Sequence, residues 1–389
     1  MTLRGILSER EEELPEEDLG KLMKILVEKK DIISLGPGQP DFGPPKHVIS
    51  AAKKALDKGC SAYSPIEGRK ELLEELTKKL KRENGIDTSP EQICVTSGSN
   101  EAILLALMCV VDPGEEVLVP DPGFLDYIPS VEILNGYPVS IPLYYENNFQ
   151  LEPESIRNLI KDKKKLKAII INTPGNPTGT VFSKKLLERI AEIAVENNLL
   201  IISDEAYEKF VYNTKHVSIG SLNGMHDYVL TLQTFSKTYG MPGFRVGYAV
   251  GSKKIINAIR YIHLFDSLCA PTISQIAAVA ALKGPQNHIK KIVKEYDKRR
   301  KFLAKRINEI KGLECKEPQG AFYILAKYDF DMKARNFVRW LIDNAKVSVV
   351  PGTDFGRYGE GFIRFSYATD FNLIKKAMDR IEKALKKLK

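Results

Sequence analysis

Residues 234–245 read TFSKTYGMPGFR. In this segment Lys237 lies among aliphatic hydroxyl side chains, and Arg245 follows eight residues later. Hydroxyl groups and the planar fork of an arginine suit a phosphate dianion. A lysine amine in an electropositive, partly dry pocket loses its proton more easily and can form a Schiff base with an aldehyde. The segment therefore predicts a pocket for an aldehyde that carries its own phosphate, namely pyridoxal 5'-phosphate (PLP).

Three apolar runs lead into polar motifs, and one of those motifs is the lysine segment itself. Residues 167–171 precede NTPGNPTG at 172–179, residues 199–202 precede SDEAY, and residues 228–232 lead towards Lys237. A short β-branched run that ends in Pro, Gly or Asn is typical of a buried strand that delivers a turn. The sequence therefore predicts that strand ends carry all three motifs.

Seven segments, taken in order and with their spacing, resemble one family. From about Leu35 to the C-terminus they are GPGQPDF, AYSPIEGRKELLEEL, TSGSNEAI, NTPGNPTG, ISDEAYEKF, TFSKTYGMPGFRVGY and FIRFSYA. This pattern is similar to that of the fold type I PLP-dependent enzymes, and in particular to class I/II aminotransferases of the aspartate and aromatic type. The resemblance implies a PLP-dependent transaminase.

Composition excludes several other classes of protein. The chain has 389 residues, 43% of them hydrophobic, which suffices for a large core and two domains. Its net charge of +8 is modest, and lysines alternate with glutamates as on solvated helix faces, which argues against nucleic-acid binding. Its five cysteines form no CxxC pair and its five histidines show no ligand spacing, so we expect no disulfide framework and no metal site.

The sequence also predicts a location and a fold class. It shows no apolar leader and no run of eighteen apolar residues, so we expect a cytoplasmic protein without membrane contact. Strands and helices alternate between residues 92 and 250, which predicts an α/β domain with a mostly parallel sheet covered by helices. The resemblance implies seven strands in that sheet.

A smaller α+β domain is expected from the two ends of the chain. We predict a polar-faced helix at 11–30, a strand at 31–35 and a long helix within 286–311, where apolar residues recur every three or four positions. Short strands at 321–326, 347–351 and 361–367 and a basic helix from residue 372 should follow. The predicted domains are residues 46–285 for the large PLP-binding domain, and 1–45 with 286–389 for the small one.

The residues around the cofactor ring follow from the resemblance. Asp204 ends a buried apolar run, where a carboxylate is costly unless it meets a cation. The family match gives it the protonated ring nitrogen as that cation, with Tyr207 and Asn176 donating to the phenolic oxygen and Phe124 stacked on the ring. From the residues alone, Tyr207 and Asn176 are typical of a turn or a surface, and a core position stays open for Phe124.

The cofactor phosphate is expected at a helix N-terminus, where free backbone N–H groups favour an anion. The predicted ligands are Ser99 and Asn100, which open a helix after a strand, and the group Thr234, Ser236 and Arg245. Tyr63 matches a tyrosine that in the family reaches the phosphate of the neighbouring subunit. The resemblance therefore implies a homodimer with composite active sites.

Arg364 lies in the apolar strand FIRFS, where a guanidinium needs a bidentate partner. The resemblance supplies the substrate α-carboxylate as that partner, with Asn176 and a backbone donor at Gly38 beside it. Some bacterial relatives that use aspartate carry a lysine at the position of Asn100. Its absence here favours neutral or aromatic amino acids as donors, with aromatic ones first. The resemblance implies 2-oxoglutarate as the usual acceptor and a ping-pong reaction in which Lys237 moves the proton.

Other functions stay open at this point. Aspartate or a broad range of donors is compatible with the same motifs, and so is a Cβ–Sγ lyase on the same scaffold. A transcription regulator would need a winged helix-turn-helix domain ahead of the motifs, which begin by Gly36. A dinucleotide-dependent dehydrogenase would need a third glycine after Gly36 and Gly38 and a suitably placed ribose-binding acid.

Overall fold

The computed structural model describes residues 31–161 and 164–388. The helix predicted at 11–30 lies outside the described residues. The strands are β1 (Ile33–Ser34), β2 (Ile93–Thr96), β3 (Glu116–Asp121), β4 (Tyr137–Pro142), β5 (Leu166–Asn172), β6 (Leu200–Asp204), β7 (Val229–Thr234), β8 (Gly247–Val250), β9 (Leu313–Glu314), β10 (Tyr323–Tyr328), β11 (Val347–Ser348), β12 (Val350–Pro351) and β13 (Phe362–Ser366).

The α-helices show the expected alternation with these strands. They are α1 (Lys46–Asp57), α2 (Lys70–Lys79), α3 (Ser99–Val110), α4 (Tyr127–Glu132), α5 (Pro153–Ile160), α6 (Lys184–Glu196), α7 (Phe235–Thr238), α8 (Lys253–Asp266), α9 (Thr272–Lys283), α10 (Asn287–Glu309), α11 (Ala334–Ala345) and α12 (Phe371–Leu385). In the described ranges, no helix combines the length and the apolar character needed to cross a membrane.

The large sheet has seven strands in the order β2-β8-β7-β6-β5-β3-β4. All neighbouring pairs are parallel except those of β8, which runs antiparallel to β2 and to β7. The connection from β7 to β8 contains only the four-residue helix α7 and a short 3-10 turn, so it does not cross the sheet as a longer helix would. The predicted seven-stranded, mostly parallel sheet is confirmed.

Strand β5 shows why this sheet is covered on both faces. Its Ile169 and Ile171 pack in the core that contains α6, whereas Ala168 and Ile170 pack in the core that contains α3. Successive side chains of a strand point to opposite faces, so a run of apolar residues fills two cores at once. Each fully buried isoleucine stabilises the fold by roughly 1.5–3 kcal/mol.

The small domain is α+β, as predicted. Its four-stranded antiparallel sheet has the order β12-β13-β10-β9, and β1 pairs with β11 in a separate parallel ribbon. In β13, Ile363 and Phe365 are buried in the core shared with α10, α11 and α12. Arg364 lies between them and therefore points to the opposite face of the sheet, towards the large domain.

Three predicted elements of the small domain differ from the observed ones. The strand expected at 347–351 is two short strands, since β11 pairs with β1 while β12 pairs with β13. The strand expected at 31–35 is reduced to β1. The strand expected from residue 321 begins at Tyr323, because Ala321 has a φ of 54° and leaves the extended conformation. The long helix is confirmed as α10.

Candidate active site

Strands β5, β6 and β7 are neighbours, and their carboxyl ends bring the three predicted motifs together. Asn172, the last residue of β5, is in register with Asp204, the last residue of β6. The Asn172 amide donates to the Asp204 carbonyl over 2.9 Å, and its Oδ1 accepts from the Asn176 N–H over 2.7 Å. Asn172 thus fixes the turn that presents Asn176 beside Asp204.

Asp204 is a buried carboxylate at the centre of this edge. Its Oδ2 accepts a hydrogen bond from the Tyr127 hydroxyl over 2.7 Å, and its Oδ1 accepts from the Ala206 N–H over 3.1 Å. Burial raises the pKa of Asp204, while these two donors and the Lys237 amine act to lower it. A cation placed beside Asp204 would therefore be stabilised by a fixed, desolvated carboxylate.

Lys237 lies on α7, directly after β7, and its helix is capped by the Thr234 hydroxyl, which accepts from the Ser236 N–H. The Lys237 amine donates to the Gly38 carbonyl over 2.7 Å. Burial and the nearby Arg364 guanidinium lower the pKa of Lys237 to about 8. A larger share of this amine is therefore uncharged near neutral pH than for an ordinary lysine.

The Lys237 amine faces a cavity of about 290 Å³ between the two domains. The residues that line it are Gly36, Pro37, Gly38, Gln39, Phe124, Leu125, Asn176, Tyr207, Lys237, Tyr323, Ser348, Val350 and Arg364. The predicted groups Lys237, Asn176, Tyr207, Phe124 and Arg364 are thus brought together in one cavity.

Arg364 reaches this cavity from the small domain. Its Nη1 donates to Asn176 Oδ1 over 2.9 Å and its Nη2 donates to the Gly36 carbonyl over 2.6 Å. Its Nε is buried without a hydrogen-bond partner. The guanidinium lies 4.4 Å from the Tyr323 ring centre and 4.6 Å from that of Phe355. These contacts fix the orientation of the fork, and the Nε–H is a donor that still lacks an acceptor.

A second group of predicted residues meets at the start of α3. A Cβ on Gly98 would lie 2.3 Å from Arg245 Nη2, and one on Gly247 would lie 2.9 Å from the Ser99 nitrogen. Arg245 Nη2 also donates to the Ser97 carbonyl over 3.1 Å. Glycine at position 98 thus lets the Arg245 guanidinium approach the start of α3, and glycine at position 247 lets β8 pack against the same helix start.

Thr234 and Ser236 lie next to this group. Their hydroxyls are 3.0 Å apart, and Thr234 is in register with Gly247, which packs against the start of α3. Helix dipole, hydroxyls and guanidinium together make this corner a suitable anion site.

The remaining predicted residues have different surroundings. Asn100 is exposed, and its amide donates to the Asp126 carboxylate. Tyr63 is 82% exposed and does not line the cavity of its own chain. Gly38 lines the cavity, where its carbonyl accepts from Lys237, whereas the sequence pointed to its N–H as a donor.

Two tyrosines in the site were not predicted from the sequence. Tyr127 holds Asp204, and the Tyr323 hydroxyl lies 2.8 Å from the Tyr207 hydroxyl. Tyr127 comes three residues after Phe124, so its proximity to the residue predicted to stack on the ring could have indicated it. Tyr323 lies in the run AFYILA, which reads as an ordinary buried strand.

A buried polar cluster lies behind Asp204. Oxygen and nitrogen atoms of Glu205, Glu208 and His216 lie within 4.8 Å of one another. The buried Lys79 amine donates to Glu208 and, over 2.9 Å, to Asn84. Burial acts to raise the pKa of Glu208, but the Lys79 and Lys209 ammonium groups hold it at about 2. Lys79 therefore supplies the positive charge that this cluster needs, and a metal ion is not required to explain it.

The fold and the sequence identify the class of protein. The sequence profile of the family described as aminotransferase class I and II matches residues 30–381. The chain belongs to this family and is a transaminase.

Individual relatives are similar over nearly the whole chain. An aspartate aminotransferase from Pyrococcus abyssi is 42% identical over 388 residues, which cover 98% of this chain and 99% of that protein. Aromatic-amino-acid aminotransferase 2 from Thermococcus litoralis is also 42% identical over 388 residues, with the same coverage. The solved structure of an aromatic aminotransferase from Pyrococcus horikoshii superposes with a TM-score of 0.89 at 42% identity, covering 94% of this chain and 99% of that one.

Proposed function

We propose that this transaminase uses PLP to move an amino group from an aromatic amino acid to 2-oxoglutarate in two half-reactions. In the first the donor leaves as its oxo acid, and in the second 2-oxoglutarate leaves as glutamate. The proposal is carried by the arrangement of three groups: Lys237 and Arg364 line one cavity between the domains, and the Lys237 amine lies close enough to the buried Asp204 carboxylate to act on its pKa. An amine, a buried anion and a rigid guanidinium fork are the groups that such a reaction needs.

The residues present fit PLP at both ends of its ring. The corner of Ser99, Thr234, Ser236 and Arg245, together with the backbone N–H of Asn100 in the first turn of α3, would hold the phosphate, since Gly98 and Gly247 allow the guanidinium and β8 to approach the helix start. Asp204 would hold the protonated ring nitrogen, Tyr207 and Asn176 would donate to the phenolic oxygen, and Phe124 would cover the ring. When bound, PLP supplies an aldehyde that links to an amine and a ring that withdraws electrons from the substrate Cα.

Lys237 would move the proton. Its lowered pKa of about 8 leaves part of the amine uncharged at working pH, so it could accept a proton from the substrate Cα and return it at the aldehyde carbon of the cofactor. Asn176 is well suited to two contacts, because its Oδ1 accepts from Arg364 while its amide hydrogens stay available to a ligand.

Arg364 would bind the α-carboxylate of every substrate. Its two terminal nitrogens are oriented by Asn176 and Gly36, and the buried Nε has no partner within the described residues. A carboxylate would satisfy that donor and neutralise the buried charge. This binding is common to all amino acids and does not choose between them.

Donor choice depends on the remainder of the cavity. Among the described residues that line it, the cationic side chains are Lys237 and Arg364, both of which already have roles. Asn100, where some relatives that use aspartate carry a lysine, is bonded to Asp126. A second substrate carboxylate would need its own cation, whereas an aromatic side chain needs only a dry pocket.

With 2-oxoglutarate as acceptor, kcat/KM for phenylalanine or tyrosine should at least equal that for aspartate, measured as glutamate formation. A preference for aspartate of about tenfold, or 1.4 kcal/mol, over both aromatic donors would contradict the proposal. Aspartate is the second candidate, because relatives named for aspartate and for aromatic amino acids are equally similar to this chain.

A homodimer with composite sites is the second part of the proposal. Tyr63, Tyr261 and Phe265 are 82%, 68% and 74% exposed, and the rings of the last two are in contact, with centroids 5.4 Å apart. Tyr261 and Phe265 lie near the C-terminal end of α8. This end contacts the start of α3, because the Ser267 hydroxyl donates to Glu101 over 2.7 Å. An exposed aromatic group beside the proposed phosphate corner favours a protein interface there.

We predict that Tyr261→Glu weakens the dimer by at least about 2 kcal/mol, roughly thirtyfold, because a charge would enter the centre of the interface. Sedimentation velocity over a range of concentrations would measure this. Tyr137→Glu is the matched control, since Tyr137 is 63% exposed on the outer strand β4. An active monomeric wild type, or equal effects of the two substitutions, would contradict the prediction.

A further inference from the structure

Tyr323 contacts three parts of the active site at once. Its ring lies 4.4 Å from the Arg364 guanidinium, and its hydroxyl lies 2.8 Å from the Tyr207 hydroxyl. A Cβ on Gly38, whose carbonyl accepts from Lys237, would lie 2.5 Å from the Tyr323 oxygen. Tyr323 belongs to β10 of the small domain and Tyr207 to the large domain, so their hydrogen bond also joins the two domains.

The Tyr207 hydroxyl has a single proton, and its use decides the direction of the hydrogen bond between Tyr207 and Tyr323. A phenol has one proton to donate, and either oxygen of the pair can be the donor. If Tyr207 gives its proton to a ligand oxygen in the cavity, only Tyr323 can donate within the pair. Burial raises the pKa of both phenols, so both keep their protons across the working pH range.

We propose that Tyr323 is a positioning residue that donates to Tyr207, so that Tyr207 can direct its own proton at the phenolic oxygen of the cofactor. This inference rests on the proposed function. Donation from Tyr323 polarises the Tyr207 hydroxyl and makes it a stronger donor, since hydrogen bonds in a chain reinforce one another. The Tyr323 ring serves separately, as a flat support for Arg364.

The two contributions are separable by substitution. Tyr323→Phe removes the hydroxyl and keeps the ring, so kcat should fall about three- to tenfold while KM changes less than about twofold. Tyr323→Leu also removes the support of Arg364, so KM for every amino acid donor should rise in addition. If Tyr323 had a purely structural role, Tyr323→Phe would not lower kcat while leaving KM nearly unchanged.

A spectroscopic titration tests the link to Tyr207 without measuring turnover. For cofactor bound to Lys237, the midpoint of the pH-dependent change in visible absorption should rise by roughly 0.3–1 pH unit in Tyr323→Phe. Without the Tyr323 hydroxyl, Tyr207 is a weaker donor and stabilises the anionic form of the cofactor's phenolic oxygen less. The nitrogen that joins Lys237 to the cofactor therefore keeps its proton to a higher pH. Tyr207→Phe should raise the midpoint further. The double variant with Tyr207→Phe and Tyr323→Phe should have the same midpoint as Tyr207→Phe alone.

Tyr212→Phe is the matched control, because it also removes a buried, hydrogen-bonded tyrosine hydroxyl, which donates to the Ala321 carbonyl. Its midpoint should equal that of the wild type. An unchanged midpoint in Tyr323→Phe, or equal shifts with and without the Tyr207 hydroxyl, would overturn the inference while leaving the proposed function intact. A wild-type protein that shows no visible absorption after incubation with PLP would overturn both.

Discussion

Lys237→Ala is expected to lower transaminase activity by at least about 10⁴-fold, since it removes the group that we propose moves the proton and links to the cofactor. The wild type incubated with PLP should be yellow, and this variant should lose the visible band that depends on the amine. PLP should still bind through the phosphate corner around Arg245 and the start of α3. Spectra, cofactor content after dialysis and steady-state rates would check these three results.

Lys209→Ala is the control for that substitution. Lys209 is also a half-buried lysine, two residues from Tyr207, but its amine pairs with Glu83 over 2.8 Å and does not line the cavity. It should keep its colour and most of its activity. A Lys237→Ala variant with the wild-type spectrum and turnover would show that the cofactor is held elsewhere.

The sequence located the strand ends because their pattern is local. A buried strand is a short apolar run, and a polar residue after it marks the end of the sheet, as at Asn172, Asp204 and Thr234. The structure places all three residues at the ends of neighbouring strands. The local spacing of apolar residues also predicted the long helix α10 and the alternation of strands and helices in the large domain.

Contacts between distant residues could not be read in this way. Arg364 bonds to Asn176, 188 positions earlier, and Tyr207 bonds to Tyr323, 116 positions later. A buried tyrosine in a strand has the same sequence signature whether it fills a core or orients an active-site group. Lys79 is a similar case, because a lysine in a helix of alternating charge predicts a solvated position, whereas this one is buried against Glu208.

The small-domain ribbon was predicted incorrectly for a related reason. Residues 347–351 are uniformly apolar or small, so the pattern indicates one strand, but the pairing partner changes from β1 to β13 within it. That change places Ser348 and Val350 on the cavity wall next to Arg364. The site thus depends on a break in pairing that no single-strand pattern reveals.

Arg364→Leu should lower kcat/KM about a hundred- to several-thousand-fold for phenylalanine, tyrosine and aspartate alike, since all three share the α-carboxylate. This corresponds to a loss of about 3–5 kcal/mol for a buried bidentate ion pair. Arg364→Lys should give a smaller loss, because it keeps the charge but not the planar fork that Asn176 and Gly36 orient. Kinetics with each donor at fixed 2-oxoglutarate would measure these effects.

The ratio of kcat/KM between donors should survive Arg364→Leu, because side-chain selection is carried by other parts of the cavity. Arg357→Leu serves as control, since Arg357 is exposed and its guanidinium rests on the Tyr358 ring, outside the cavity lining. Its kinetics should be close to those of the wild type. A loss confined to aspartate in Arg364→Leu would instead mean that Arg364 binds a distal carboxylate, and that a different group holds the α-carboxylate.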